Sequence, residues 1–440
     1  MVLLVFAGCK KQSYVADFDE SPEERMTNAI ALVNTTLTSA PNGWIATLPT
    51  YAGGGYGFYM SFDKNQVVTM YADVTDESSS KANTANYRVR SGLGAQLVFD
   101  TYSYLSILTD PNPDTYGGVT GAGYGSDSEF TYQRSTTDSI FFVGKTFRQV
   151  LALAKATEAQ KNAYLAGNFK TAIESLKTFF VDNKNPYIEL TSGSTTNQVM
   201  LTLNSSNALV TGKQVDLTGL EADGKTVTSA KTKFAFTING ADFLDGGVVY
   251  KGITFVKMIW KDSSTLALYD STGKEYIVKN AAVPLIPLYK LWGSKYNALY
   301  SEYKTIYPGT SASGAVILNY YHNGLISSVV GYNFNYGNIS LVWDTINKRL
   351  IIDGFCSQNG GASGWSTTSN YNYTVDDNGV FKFTQNAAPS GGYVVNALSR
   401  LYPFILNNHI KFDYYIDGGN IYGKMTSVED PSIVMTFVLQ

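Results

Sequence analysis

The stretch Tyr56-Gly57-Phe58-Tyr59-Met60-Ser61-Phe62 decides how the chain is read. Large side chains recur at every second position, the period of a strand with one face in a core. Asp63-Lys64-Asn65 then turns, and the run from Val67 to Val74 returns, so the segment reads as a β-hairpin. Similar short runs follow at Tyr87–Arg90, Gln96–Phe99, Tyr104–Leu108, Glu129–Gln133 and Ile140–Val143. Turn residues separate them, the pattern of an antiparallel meander. From Thr109 to Ser128 the chain is rich in Pro, Gly and Asp and reads as a long loop on the rim of the sheet.

Helical signals flank this block. Upstream, Ser21-Pro22-Glu23-Glu24 is a capping box with proline at the first helical position. Met26, Ile30, Val33 and Leu37 follow at helical spacing, and Pro41-Asn42-Gly43 stops the helix near Ser39. Downstream, residues from about 154 to 181 carry an apolar face of Ala163, Leu165, Ile173, Leu176 and Phe180, broken in two at Gly167.

A second β stretch runs from Tyr187 to Val278, with turns at Asn204–Asn207, Ala222–Lys225 and Ser271–Lys274. Val283-Pro284-Leu285-Ile286-Pro287 suits an interdomain linker or a strand crossover. Beyond it, residues 295–305 read as a short helix and Val316–Tyr320, Ser328–Phe334, Ser340–Trp343 and Leu350–Ile352 as strands. Tyr371–Val375 and Val380–Thr384 flank Asp376-Asp377-Asn378-Gly379, a hairpin turn. Val394–Leu406 reads as a helix ended or kinked near Pro403, and three strands close the chain from Ile410 to Leu439. Leu97-Val98-Phe99-Asp100-Thr101 echoes Leu341-Val342-Trp343-Asp344-Thr345, which duplication or convergent turn chemistry explains equally well.

The fold class expected is therefore mainly β, built of antiparallel meander sheets or barrel-like sandwiches, with a few helices and two domains. The N-terminal domain is placed at 21–283, with the helical insert at about 154–181, and the C-terminal domain at 284–440. Composition agrees. Of 440 residues, 44% are hydrophobic, enough for two or three cores. The 40 Gly and 32 Tyr suit turns and strands. Charged residues make up only 16%, with net charge -3, which argues against nucleic acid and against a polybasic membrane patch.

The first nine residues carry their own message. Leu3-Leu4-Val5-Phe6 is a short apolar run ending in Ala7-Gly8-Cys9, then Lys10-Lys11. Small residues before a cysteine are what lipoprotein processing needs: the peptidase must approach the backbone, and the thiol takes the lipid. Residues 1–8 are thus expected to be the remnant of a longer signal peptide, Cys9 the lipidated residue, and 9–20 a tether. The apolar run is too short to span a membrane. With Cys9 acylated, Cys356 has no partner for an internal disulfide and reads as a small buried hydrophobe.

Glu20-Ser21-Pro22-Glu23-Glu24-Arg25-Met26, Ala40-Pro41-Asn42-Gly43-Trp44, Tyr56–Asp63, Phe99-Asp100-Thr101-Tyr102 and Ser128-Glu129-Phe130 recur in order along the N-terminal third. On these residues that third resembles a family of uncharacterised Bacteroidetes surface lipoproteins, a domain of unknown function. The resemblance implies an outer-membrane location and company with nutrient-import systems built around a TonB-dependent transporter. It implies no catalytic residues.

The residues themselves offer little chemistry. His322 and His409 are isolated, which does not make a zinc site. No carboxylate pair stands out for glycoside hydrolysis. Gly53-Gly54-Gly55 precedes a strand and not a helix, so it is no phosphate cradle. Asp110, Asn112 and Asp114 sit at alternate positions as calcium ligands do, but without the closing Gly and Glu of a calcium loop. Loop aromatics remain: Tyr51, Tyr56, Tyr116, Tyr124 and Trp365, whose rings could stack on sugar faces or fill cores.

The expected function is that of a lipid-anchored, non-enzymatic component of outer-membrane nutrient uptake. It would be held by acylated Cys9 and would face the cell surface rather than the periplasm. Its ligand would be a glycan or a peptide, with no cofactor. A glycosidase-like hydrolase on a β scaffold and a structural docking partner of a transporter are the competing readings.

Overall fold

The computed structural model describes residues 20–192, 195–328, 333–390 and 393–440. Cys9, the apolar run before it and the tether as far as Asp19 lie outside those residues. The fold is mainly β, with antiparallel meanders that close on themselves.

The first meander has eight strands: β1 (Trp44–Pro49), β2 (Gly55–Phe62), β3 (Val67–Ala72), β4 (Asn83–Ser91), β5 (Ala95–Phe99), β6 (Glu129–Ser135), β7 (Ser139–Gly144) and β8 (Val150–Lys155). Each pairs with the next, and β8 returns to β1, Ile45 facing Ala154, so the barrel has no edge. Tyr56, Phe58, Met60 and Phe62 point inward, as their alternation demands. The outward residues of β2 are covered too, which the alternation alone does not show.

Helix α1 (Pro22–Thr38) begins with the expected capping box at Ser21 and Glu24 and ends at the Ser39 cap. Its apolar face sends Val33 and Leu37 into the barrel core, and the buried Trp44 indole donates to Leu37 O at 2.9 Å. Helix α2 (Asp76–Ser80) follows β3. The long loop after β5 holds α3 (Pro113–Tyr116) but no strand. Tyr104–Leu108, expected as a strand, is a turn running into a 3-10 helix at Ser106–Thr109, where the Ser106 hydroxyl accepts from Ser103 N–H. After the barrel come α4 (Glu158–Leu165) and α5 (Asn168–Asp182), separated by Gly167 at φ 76°, a left-handed conformation that glycine adopts freely.

The second sheet has ten strands: β9 (Pro186–Ser192), β10 (Thr195–Asn204), β11 (Gln214–Leu220), β12 (Val227–Thr237), β13 (Gly240–Phe243), β14 (Val248–Tyr250), β15 (Ile253–Trp260), β16 (Leu266–Asp270), β17 (Glu275–Ile277) and β18 (Lys279–Asn280). Its order runs from β17 at one end to β18 at the other, with β14 beside β15. Yet β17 and β18 are separated only by Val278. Two neighbouring pieces of chain at opposite ends of a strand order require the sheet to curl until its edges meet. This sheet is therefore also barrel-like. A Lys279–Glu189 ion pair of 2.7 Å lies where the ends join.

The last meander is a closed eight-stranded barrel: β19 (Ala298–Glu302), β20 (Tyr336–Asp344), β21 (Arg349–Ser357), β22 (Trp365–Val375), β23 (Val380–Ser390), β24 (Ile410–Asp417), β25 (Asn420–Ser427) and β26 (Val434–Leu439). Residues 298–302 thus form a strand and not the expected helix; β26 pairs with them and closes the barrel. Val316–Tyr320 shows the reverse. It belongs to α6 (Ala312–Ser328), where Gly314 lets the helix pack on Val434 O. Residues 329–332 of the expected strand Ser328–Phe334 lie outside the described residues. The expected helix at Val394–Leu406 is two pieces, α7 (Tyr393–Ala397) and α8 (Leu401–Asn407), with Pro403 in the first turn of α8. Cys356 is free and buried in β21, and burial pushes its thiol up to about 11.

The chain separates into two compact units. One takes residues to 189 with 201–217 and 229–279; the other takes 190–200, 218–228 and 280–440. The sequence echo falls on the fifth strand of the first barrel and the second strand of the last. The corners differ as well. Asp100 pairs with Arg88, while Asp344 accepts from Asn347. Convergent turn chemistry accounts for the likeness.

Candidate binding groove

The five aromatics expected at a site do not share one surface. Tyr56 and Tyr124 have no exposure, and Tyr116 is half-buried between them. Their rings meet edge-on or tilted, at 6.2 Å for Tyr56–Tyr116, 6.0 Å for Tyr56–Tyr124 and 5.2 Å for Tyr116–Tyr124. The Tyr124 hydroxyl donates to Asn207 O at 2.6 Å. These rings pin the long loop to the fold, and burial keeps their faces from a sugar. Tyr51 is different: 72% exposed, 6.0 Å from Phe147. Trp365 belongs to the other unit and packs edge-on against Phe334.

The calcium candidates are engaged in turns. Asp110 Oδ1 accepts from Asn112 N–H, and Asn112 Oδ1 accepts from Asp114 N–H and caps α3. Among the described residues no group of three or more His, Cys, Asp or Glu is placed to hold a metal. His409 Nδ1 lies 2.5 Å from Glu429 Oε1, on the surface. The His322 side chain lies outside what is described.

Two places in the first unit gather polar chemistry instead. One is wholly buried. Asp73, just after β3, accepts from Gly57 N–H at 2.9 Å, from Phe236 N–H at 2.8 Å and from Lys213 Nζ at 2.7 Å. Gly57 has no side chain because β12 crosses there: a Cβ would lie 2.4 Å from Phe236 O. Burial drives the Asp73 carboxyl above its usual range and the Lys213 ammonium below its own, against the pull of each on the other. The pair is inaccessible, so it binds nothing from solution.

The other place is an open groove of about 960 Å³. One wall is α5, with Ala163 of α4 beside it. The facing wall is Ile238, Trp260 and the turn Asp262-Ser263-Ser264. Alternate turns of a meander fall at one end of it, so the β12–β13 and β15–β16 turns share an end. The groove therefore lies at the mouth of the second sheet's barrel, a common place for ligands. Trp260 and Phe179 meet edge-to-face at 5.5 Å and 88°, and both are half-buried.

Asn168, Thr178, Asp182 and Asn183 supply hydrogen-bonding groups on the helix side. Asp262 is held down to about 2 by the backbone and side-chain donors of Ser264 and Thr265. Glu174 lies 3.7 Å from Lys170. The carboxyls that burial raises, Asp73, Asp216 and Asp242, are not among the lining residues. The groove thus offers aromatic faces and hydrogen-bond acceptors.

Sequence reading missed Trp260 and Phe179. Trp260 was legible as the last residue of a strand, directly before the turn Lys261-Asp262-Ser263-Ser264, a position at a sheet's rim. Nothing in the sequence pairs it with a phenylalanine 81 positions earlier.

Comparison with known proteins adds little chemistry. A domain of unknown function (DUF4302) matches residues 16–262. No curated protein matches the chain. Among solved structures, a DNA polymerase III subunit beta sliding clamp (DnaN) from Bartonella birtlesii is similar at 9% identity over 94% of this chain and 98% of its own. Its TM-score is 0.13.

Proposed function

The chain belongs to the family of that domain of unknown function (DUF4302), which spans residues 16–262, and we propose that it acts as a binding protein of the cell envelope and not as an enzyme. The ligand is a glycan, received in the groove at the mouth of the second sheet. The edge-to-face pair Trp260–Phe179, flanked by amides, hydroxyls and carboxylates, carries this reading. An indole face gives a sugar ring a large contact at small entropy cost, and side-chain oxygens and amides take its hydroxyls. Hydrolysis would require one carboxyl kept protonated in the groove, and Asp262 is held in the opposite state.

Ala7-Gly8-Cys9 supports the proposed location. A lipid on Cys9 anchors the protein to the outer membrane of a Bacteroidetes-type envelope, on the surface side. A TonB-dependent transporter is its partner in nutrient uptake. The resemblance of the N-terminal third to surface lipoproteins supports this, as does a composition low in charge and rich in Gly and Tyr.

A glycan array probed with the full chain and with Trp260→Ala tests the ligand. Binding lost at least tenfold in the variant, with thermal stability unchanged, supports the groove. Binding that survives the substitution rejects it, and a hit on peptides only rejects the glycan. Pull-down from native membranes, with and without Cys9→Ser, tests the anchor and the transporter.

A further inference from the structure

We infer that Asp73 and Lys213 are the two halves of an intramolecular amide crosslink, formed after folding by loss of one water. The geometry is that of a reaction site. Lys213 Nζ lies 2.7 Å from Asp73 Oδ2, with side chains 3% and 0% exposed. Aromatic faces enclose the amine: Phe236 at 4.6 Å, Tyr56 at 4.9 Å and Phe234 at 5.7 Å from Nζ. Water is excluded, and the partners are held together in one compact unit. Such pre-orientation replaces a bimolecular encounter and is worth a very large effective concentration. Lys213 also adopts φ 50°, a left-handed conformation that a lysine seldom takes. Backbone strain of this kind is a pointer to a side chain needed in one place.

Burial favours the uncharged forms of both groups, and Lys177 adds to the pressure on Lys213 to lose its proton. One internal proton transfer turns the ion pair into a neutral amine and a neutral acid, the combination that can react. Tyr56, Tyr116 and Tyr164 also face Asp73, and burial raises all three, so they keep their protons and bring no charge.

The step then balances without any oxidant or co-reactant. The Nζ lone pair attacks Cγ, and a C–N bond forms. Oδ1 takes the developing charge opposite the Gly57 N–H that already donates to it. Nζ passes a proton across to Oδ2, the Cγ–Oδ2 bond breaks, and Oδ2 leaves as water. The Phe236 N–H loses its acceptor, a cost the new bond must outweigh. The product would tie together positions 140 residues apart.

Intact mass of the folded full chain tests this, read beside Lys213→Arg. The expected result is a wild type lighter than its sequence by one water and a variant at full mass. Proteolysis of the wild type should yield a branched peptide joining Asp73 to Lys213. A folded wild type at full mass overturns the proposal. So does a deficit that persists in Lys213→Arg, because Asp-Gly pairs such as Asp223-Gly224 and Asp245-Gly246 also lose water. Should the variant fail to fold, the branched peptide in the wild type decides alone.

Discussion

The first and last barrels have the same strand count and the same up-and-down order, yet several of their buried tyrosines and tryptophans differ in hydrogen bonding. Both barrels hold a few unpaired polar atoms, Asn83 Oδ1 and Arg90 Nε in the first among them, but around the first barrel the large polar rings find partners. The Trp44 indole donates to Leu37 O, and the hydroxyls of Tyr59, Tyr87 and Tyr104 donate to Asn42, Asp63 and Lys81 carbonyls. Even a buried lysine, Lys213, has a carboxylate. In the last barrel, the indoles of Trp292 and Trp343 are buried without a hydrogen-bond partner among the described residues, and Ser369, Tyr371 and Tyr402 have one another within reach but no bond of good geometry. Burial lowers Lys295 as well, and its neighbours are Met200 Sδ and the Tyr296 ring.

Different physics specifies the two cores. The first is fixed by direction, since each bond demands one geometry. The last is fixed by volume: Trp343 alone meets Trp292, Tyr373, Phe381, Phe383 and Phe412. Aromatic stacking tolerates small shifts that a hydrogen bond does not.

The sharpest way to break this contrast is to remove the acid from the buried pair. Asp73→Ala strands Lys213 in an apolar site and leaves two backbone N–H groups without an acceptor. A loss of about 3–5 kcal/mol is expected, as for other broken buried pairs. Replacing both partners, as in Asp73→Leu with Lys213→Met, should recover the part of the loss that comes from the stranded amine, and leave the part that comes from the inferred crosslink. Urea unfolding followed through the first unit measures both. A double variant no better than the single one would mean that position, and not charge, makes the pair matter.

Asp242 tests the same unit by pH. Burial raises its carboxyl to about 6, with only Lys257 opposing. The unfolded chain has a lower value, so the folded state binds the proton more tightly. The stabilisation is complete below the ordinary carboxylate range and is lost as pH rises through about 6. Asp242→Asn should therefore flatten the stability profile between about pH 4 and 6. A profile unchanged by the substitution would show that Asp242 is already relieved by Lys257.

These features were unequally visible in the sequence. Alternation gave β2 to β7 of the first barrel, and Ser21-Pro22-Glu23-Glu24 gave α1, because both signals are local; the end of β8 fell instead in the expected helix at about 154–181. Closure was not local: the β1–β8 and β19–β26 pairings join chain segments over a hundred residues apart. The five-residue strand at 298–302 drew its identity from that closure, so its own sequence misled. Val316–Tyr320 misled in the other direction, since a short apolar run fits a buried strand or a buried helix equally. Asp73 and Lys213 carried no signal separately. The glycines at 55 and 57 did hint at a close backbone approach, although not at which strand approaches.

The smallest expected effect discriminates best between the two cores, because Tyr→Phe removes one oxygen and almost no volume. Tyr87→Phe deletes a 2.8 Å bond to Asp63 O, and a loss of about 1 kcal/mol is expected. Tyr371→Phe deletes a hydroxyl that makes no hydrogen bond of good geometry among the described residues, although Ser369 lies close enough to interact with it. An unpaired buried hydroxyl costs its desolvation and returns nothing, so this change should be neutral or stabilise by up to about 1 kcal/mol. Thermal unfolding of each variant, read against the wild type, gives the sign directly. Equal losses in both would place a bonding partner beside Tyr371, and the last barrel would then be specified by direction as the first one is.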